Sequence, residues 1–166
     1  MALPIEAVRA LAAVCMPMLN DPQIDATLRD VVIGLALHES RLEPTAVHIN
    51  PNGTIDRGML QINSPNLARL GLTPETAFDP CQSLHAGAEV FMEALSRYNT
   101  GTTTRGFTNG YVVAALKAIH AARGSLGAVA RPSLPPGSAA AFPPSVDLES
   151  SPGAGEIIFT TRESRP

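Results

Sequence analysis

Leu28, Val32, Leu35, Glu39 and Leu42 recur at helical spacing, which puts a glutamate on the apolar face of a helix. A carboxyl in that position restricts the fold, because burying a charge is costly unless it is paired or neutralised. Burial raises a carboxyl's pKa, and the negative end of the helix dipole at the closing turn pushes the same way. A glutamic acid kept protonated near neutral pH can give its proton to a leaving oxygen, as glycoside cleavage requires. The plainer alternative is a glutamate that only caps or pairs at a helix end. The stretch His38-Glu39-Ser40-Arg41 is followed by a second motif, Gly58-Met59-Leu60-Gln61-Ile62-Asn63, which favours the chemical reading.

At 166 residues the chain is long enough for one respectable core and one domain. The formal net charge of −3 supplies no basic stripe for nucleic acid. No apolar run approaches the ~20 residues of a membrane-spanning helix. Met1 to Leu19 is apolar, but it lacks a basic start, carries Glu6 and Arg9, and has no clear small-residue exit, so it reads as the first amphipathic helix. Cys15 and Cys81 are either one disulfide or two buried thiols. His38, His48, His85 and His120 show no zinc spacing, and no metal or cofactor is expected.

Four or five helices are expected between residues 4 and 123. Pro4 to Leu19 forms the first, Asp25 caps a second that runs to about Arg41, and Ser64-Pro65 opens a short one closed by Gly71. Asp79-Pro80 is a strong helix start, with Leu84, Ala88, Phe91, Met92 and Leu95 as its apolar stripe and Gly101 at its end. A last helix runs from about Tyr111 to Ala122, after a Thr- and Gly-rich loop from Thr102 to Gly110. Residues 44–63 are rich in turn chemistry and read as a long loop or small hairpin beside Glu39. The fold class is therefore all-α, α+β at most. Residues 1–123 form the domain, and residues 124–166, which hold seven of the chain's 15 prolines, form a disordered tail.

Glu39-Ser40, Gly58-Met59-Leu60-Gln61-Ile62-Asn63, Phe78-Asp79-Pro80 and Arg97-Tyr98-Asn99-Thr100-Gly101 occur in that order. Together they resemble the soluble lytic transglycosylase family, related to goose-type lysozyme. Gly106-Phe107-Thr108-Asn109-Gly110-Tyr111-Val112 is similar to the transglycosylase component of type IV secretion systems. The resemblance covers roughly residues 5–120 and implies a compact, lysozyme-like helical domain acting on peptidoglycan glycan strands, with secretion-system components as further partners. It also implies a periplasmic setting, although the chain shows no clear signal peptide.

By this resemblance Glu39 is the single catalytic acid/base. It protonates the oxygen between N-acetylmuramic acid and N-acetylglucosamine, then takes a proton from the muramoyl C6 hydroxyl as a 1,6-anhydro ring closes. Ordinary glycosidases use two carboxylates, but an internal hydroxyl nucleophile removes the need for the second. Substrate contacts are expected from Ser40, Gly58, Gln61, Tyr98 and Asn99. Gln61 would hold a sugar through its amide, Gly58 would let backbone pass close to the glycan or to the Glu39 helix, and Tyr98 would pack its ring while its hydroxyl reaches the acid. Relatives of this branch often carry a cysteine before the catalytic helix and another near the Asp-Pro start, which implies a Cys15–Cys81 disulfide. Met59-Leu60 reverses the usual order, His48 stands where many relatives have serine, and Thr100 replaces a common alanine; none of these removes an atom the reaction requires.

Two other functions fit the same residues. A lysozyme-like hydrolase would use Asp56 as a second carboxylate that activates water. A non-catalytic assembly module would bind peptidoglycan or secretion-system partners and have no need of the acid.

Overall fold

A computed structural model describes residues 1–126, which form five helices and one small sheet joined by turns. The chain forms α1 (Ile5–Cys15), α2 (Pro22–Ser40), strands β1 (Val47–Ile49), β2 (Ile55–Arg57) and β3 (Ile62–Asn63), then α3 (Pro80–Thr100), the short α4 (Arg105–Thr108) and α5 (Tyr111–Leu126). Single 3-10 turns at Ser64–Asn66, Ala68–Leu70 and Thr76–Phe78 carry the chain from the sheet to α3. The tail expected over 124–166 lies outside the described residues, apart from the three that extend α5 to Leu126.

The first helix stops at Cys15 rather than Leu19. Pro17 disfavours helical backbone in the residue before it, and Met16 is accordingly extended (φ −82°, ψ 151°). The cap of α2 is Asp21, not Asp25: its carboxylate accepts from the amides of Gln23 and Ile24, with Pro22 in the first turn. Asp25 is buried instead and accepts the Leu19 amide at 2.7 Å, fastening the α1–α2 connection. Asp79 caps α3 through the Gln82 amide at 2.8 Å, and Gly101 ends that helix with left-handed backbone. The loop expected from Thr102 to Gly110 contains α4, which packs on α3.

The helices enclose one core built around Leu28, Val32, Met59, Leu84 and Leu116, all essentially inaccessible to solvent. Thr27 ties α2 to α5 within it. Its hydroxyl donates to the Gln23 carbonyl, so it receives the His120 Nδ1 proton at 3.0 Å. Cys15 and Cys81 form a disulfide, with Cα atoms 5.3 Å apart, that joins the last residue of α1 to the first turn of α3.

The segment expected as a loop or hairpin is a three-stranded antiparallel sheet in the order β1-β2-β3, with Val47 opposite Arg57 and Asp56 opposite both His48 and Asn63. Its polar heart is Asp56, whose two carboxylate oxygens accept from the side-chain amides of Asn50 and Asn63.

Candidate active site

The buried row of α2 runs through Leu28, Val32 and Ala36. Glu39 falls one turn beyond Ala36, where the row reaches the rim of the core, and is half-buried. Full burial, expected from the Leu28–Leu42 pattern, does not occur. Leu35 points outward at 36% exposure, so the true apolar face is rotated toward Ala36. The carboxyl has no hydrogen-bond or ion-pair partner among the described residues, so the reading of Glu39 as a mere cap or pair loses its basis.

Two consecutive residues after the helix, Arg41 (φ 57°) and Leu42 (φ 65°), take left-handed backbone. That conformation costs roughly 1–2 kcal/mol for a residue with a Cβ, and here the surroundings enforce it. The Arg41 amide bonds the Leu37 carbonyl, the Leu42 amide bonds the Ala36 carbonyl, and the Leu42 side chain is buried. Gln61 (φ 48°) is a third such residue. Of the four positive-φ residues other than glycine among the described residues, three thus flank Glu39 or stand in the second motif, a clustering characteristic of sites that fix geometry.

Ser40 joins those two motifs. Its hydroxyl proton lies between the carbonyls of Met59 (2.9 Å) and Ala36 (3.2 Å), and its oxygen accepts the Glu43 amide. The serine is therefore consumed in positioning, with no capacity shown toward a ligand. Gln61 behaves similarly: its Nε2 donates to the carbonyls of Gly58 (2.9 Å) and Ala46 (3.3 Å), closing the turn on itself. Gly58 does serve a close approach, though to another element than expected. A Cβ on it would stand 2.0 Å from the Ala77 carbonyl oxygen, and its φ is +75°. On its Cα side the backbone passes against the turn that precedes α3. Small residues of α3 complete the seat: Ser83 Oγ accepts the Leu60 amide, and Gly87 leaves room for the Leu60 side chain. Ser83 and Gly87 escaped the sequence reading because it searched the helix for large apolar groups, whereas close packing here required small ones.

Tyr98 does not pack. It is 85% exposed, because Met92 and Ser96 occupy the buried row and Tyr98 lies about half a turn away from Ser96. Gly106 of α4 presses on Ser96 so closely that a Cβ there would meet the Ser96 Cα at 2.5 Å, which makes Ser96 rather than Tyr98 the inward residue at this end. Asn99 is exposed and bonds Asn109, and with Thr100, Arg105 and Thr108 these two line an open cleft of about 420 Å³. Arg105 was not singled out by sequence; Asn109 lies in the Gly106–Val112 motif, which carries a resemblance but does not mark the cleft.

Other carboxyls near the sheet are committed elsewhere. Asp56 is 8% exposed, with both oxygens bonded. Glu43 is brought down to about 2, first by its hydrogen bond from the Met1 amino group and then by Thr45, and so is no proton donor at neutral pH. Among the described residues no group of His, Cys, Asp and Glu is arranged to hold a metal. No described helix is long and apolar enough to cross a membrane.

The transglycosylase SLT domain family matches residues 21–130. Protein VirB1 of Agrobacterium fabrum is 35% identical over 47% of this chain and 48% of its own length. The invasion protein IagB of Salmonella typhimurium is 31% identical over 46% of this chain and 56% of its own, and protein IpgF of Shigella flexneri is 34% identical over 45% and 52%. The chain spans about half the length of these curated relatives. No solved structure matches it.

Proposed function

The chain belongs to the transglycosylase SLT family, and on that premise we propose that it is a peptidoglycan lytic transglycosylase with Glu39 as its only acid/base. The observation that carries this reading is the contrast between two carboxyls. Glu39 is unpaired at the rim, beside a turn locked to its helix by Ser40, whereas Asp56 is buried with both oxygens bonded. A hydrolase of the inverting kind needs a second carboxylate free to activate water across the cleft, and Asp56 is not free. An intact glutamate with no partner among the described residues also weighs against a purely binding module.

In this reading Glu39 donates its proton to the glycosidic oxygen as the bond to the muramoyl C1 breaks. The substrate's acetamido group steadies the developing positive charge. Glu39, now a carboxylate, takes the proton of the muramoyl C6 hydroxyl while that oxygen bonds C1. One proton leaves the glutamate and one returns, no water is consumed, and the product ends in a 1,6-anhydro ring. Ser40, Gly58 and Gln61 hold the Gly58–Gln61 turn in place. The exposed ring of Tyr98 is assigned to sugar contact, and Asn99 to the substrate beside it. Residues 1–123 serve as the catalytic domain, and the resemblance to secretion-system transglycosylases points to local opening of the cell wall in the periplasm for such an apparatus.

Mass spectrometry of muropeptides released from purified sacculi tests the reaction directly. Anhydromuramic ends are the expected product; reducing ends would overturn the proposal in favour of a hydrolase.

A further inference from the structure

The open cleft at the end of α3 has a chemical character that the cleavage reaction does not account for. Its amide orientations are fixed by the backbone. The Tyr111 amide donates to Asn109, so Asn109 presents Oδ1 there, and its Nδ2 must then donate to Asn99 Oδ1 at 3.2 Å. Thr108 spends its hydroxyl proton on the Arg105 carbonyl, and Thr100 donates to the Ser96 carbonyl. The side-chain amide oxygens are thus used internally. Among the described residues the Asn99 Nδ2 protons and the whole Arg105 guanidinium have no acceptor, so the cleft offers donors and a positive charge.

The surroundings reinforce this. The chain carries 15 acidic residues, yet after Glu93 none occurs until Asp147, so the end of α3, all of α4 and all of α5 contain no carboxylate. Arg105 is exposed, lines the cleft and stands in no ion pair among the described residues. The frame under Arg105 is rigid. Ser96 Oγ accepts the Gly106 amide at 2.8 Å and donates to the Thr102 carbonyl at 2.8 Å, and Gly106 has no space for a side chain.

We propose that this cleft is a carboxylate-binding subsite in which Arg105, helped by the Asn99 amide, holds a free carboxylate of the peptide stem carried by muramic acid. The inference rests on the transglycosylase reading for its choice of ligand. A guanidinium's paired N–H donors match the two oxygens of a carboxylate, and Asn99 lines the same cleft. Glycan alone carries hydroxyls and acetamides, for which an unpaired arginine is a poor match; the anionic groups of the wall polymer are on its stems. Such a subsite would make the enzyme prefer strands that still bear peptides.

The test compares full-length wild type, Arg105→Gln and Arg105→Lys on peptide-bearing glycan and on the same glycan stripped of its stems by an amidase. Stripping leaves the lactyl carboxylate of muramic acid, so the two sources of carboxylate are separated. The ratio of kcat/KM on peptide-bearing to stripped glycan should fall about tenfold in Arg105→Gln, through KM, with partial recovery in Arg105→Lys. An unchanged ratio, or an equal loss on both glycans, would overturn the proposal. A second measurement does not depend on turnover. NMR titration with a soluble stem tetrapeptide should shift the Asn99 and Asn109 side-chain amides in wild type and not in Arg105→Gln, with binding weakened by salt. If no glycan is cleaved but the peptide binds in this manner, the function fails and the subsite stands. Absence of Arg105-dependent shifts overturns the subsite whatever the activity.

Discussion

The Ser40 hydroxyl lies 2.9 Å from the Met59 carbonyl, a hydrogen bond between residues nineteen apart in sequence. It joins the last residue of α2 to the turn that begins at Gly58, so the residue before Ser40 and the turn cannot move independently. Ser40→Ala removes this bond and leaves a carbonyl unsatisfied, with an expected loss of about 1–2 kcal/mol in urea unfolding. Because the serine acts through Glu39's position, kcat should fall more than KM rises. A stability loss with kcat untouched would remove the positioning role.

Glu39→Gln keeps the volume and polarity of the side chain but cannot give or take the proton. Each proton transfer is typically worth ~10²–10⁴-fold, so turnover on sacculi should drop by at least that range while the melting temperature stays near wild type. Near-normal cleavage by this variant would end the single-acid mechanism.

Gly58→Ala should be among the most harmful single-methyl additions in the protein. The new Cβ would be 2.0 Å from the Ala77 oxygen, which is backbone and cannot swing aside, and the φ of +75° is unfavourable in its own right. Strain and overpacking together predict a loss of about 3 kcal/mol or more. Equilibrium unfolding by urea measures it, and a loss below the uncertainty of extrapolation would contradict the close approach.

Replacing Cys15 and Cys81 by serine opens a cross-link of 66 residues. Loop entropy of that length corresponds to about 4 kcal/mol. Thiol titration of the unfolded, unreduced wild-type protein should find neither sulfhydryl, and two free thiols would reject the bond.

The helical frame was legible because its punctuation is local: Asp79-Pro80 and Gly101 fall at the two ends of α3. Errors in the frame arose where a stronger local signal stood a few residues away from the one that was read. Pro17 stopped α1 early, and Asp21 took the cap expected of Asp25. At the site, residue types were readable and their directions were not. Tyr98 lies three residues after Leu95, yet it is exposed because Gly106, ten residues beyond Ser96, chose Ser96 for the interior. Gln61 has the amide a sugar would want, but the carbonyls of Gly58 and Ala46 reach it first. Such competition depends on contacts far apart in the chain, which a periodic pattern does not encode.

The disulfide from residue 15 to residue 81 turns everything between them into a covalent ring, and Glu39, Ser40, Gly58 and Gln61 all belong to that ring. A protease that cuts once at the exposed turn of Pro51, Asn52 and Gly53 therefore releases no fragment. The two pieces stay joined, as one species until a reductant is added, with the glutamate on one side of the nick and the turn it works beside on the other. The bond is then a form of damage tolerance as well as a source of stability.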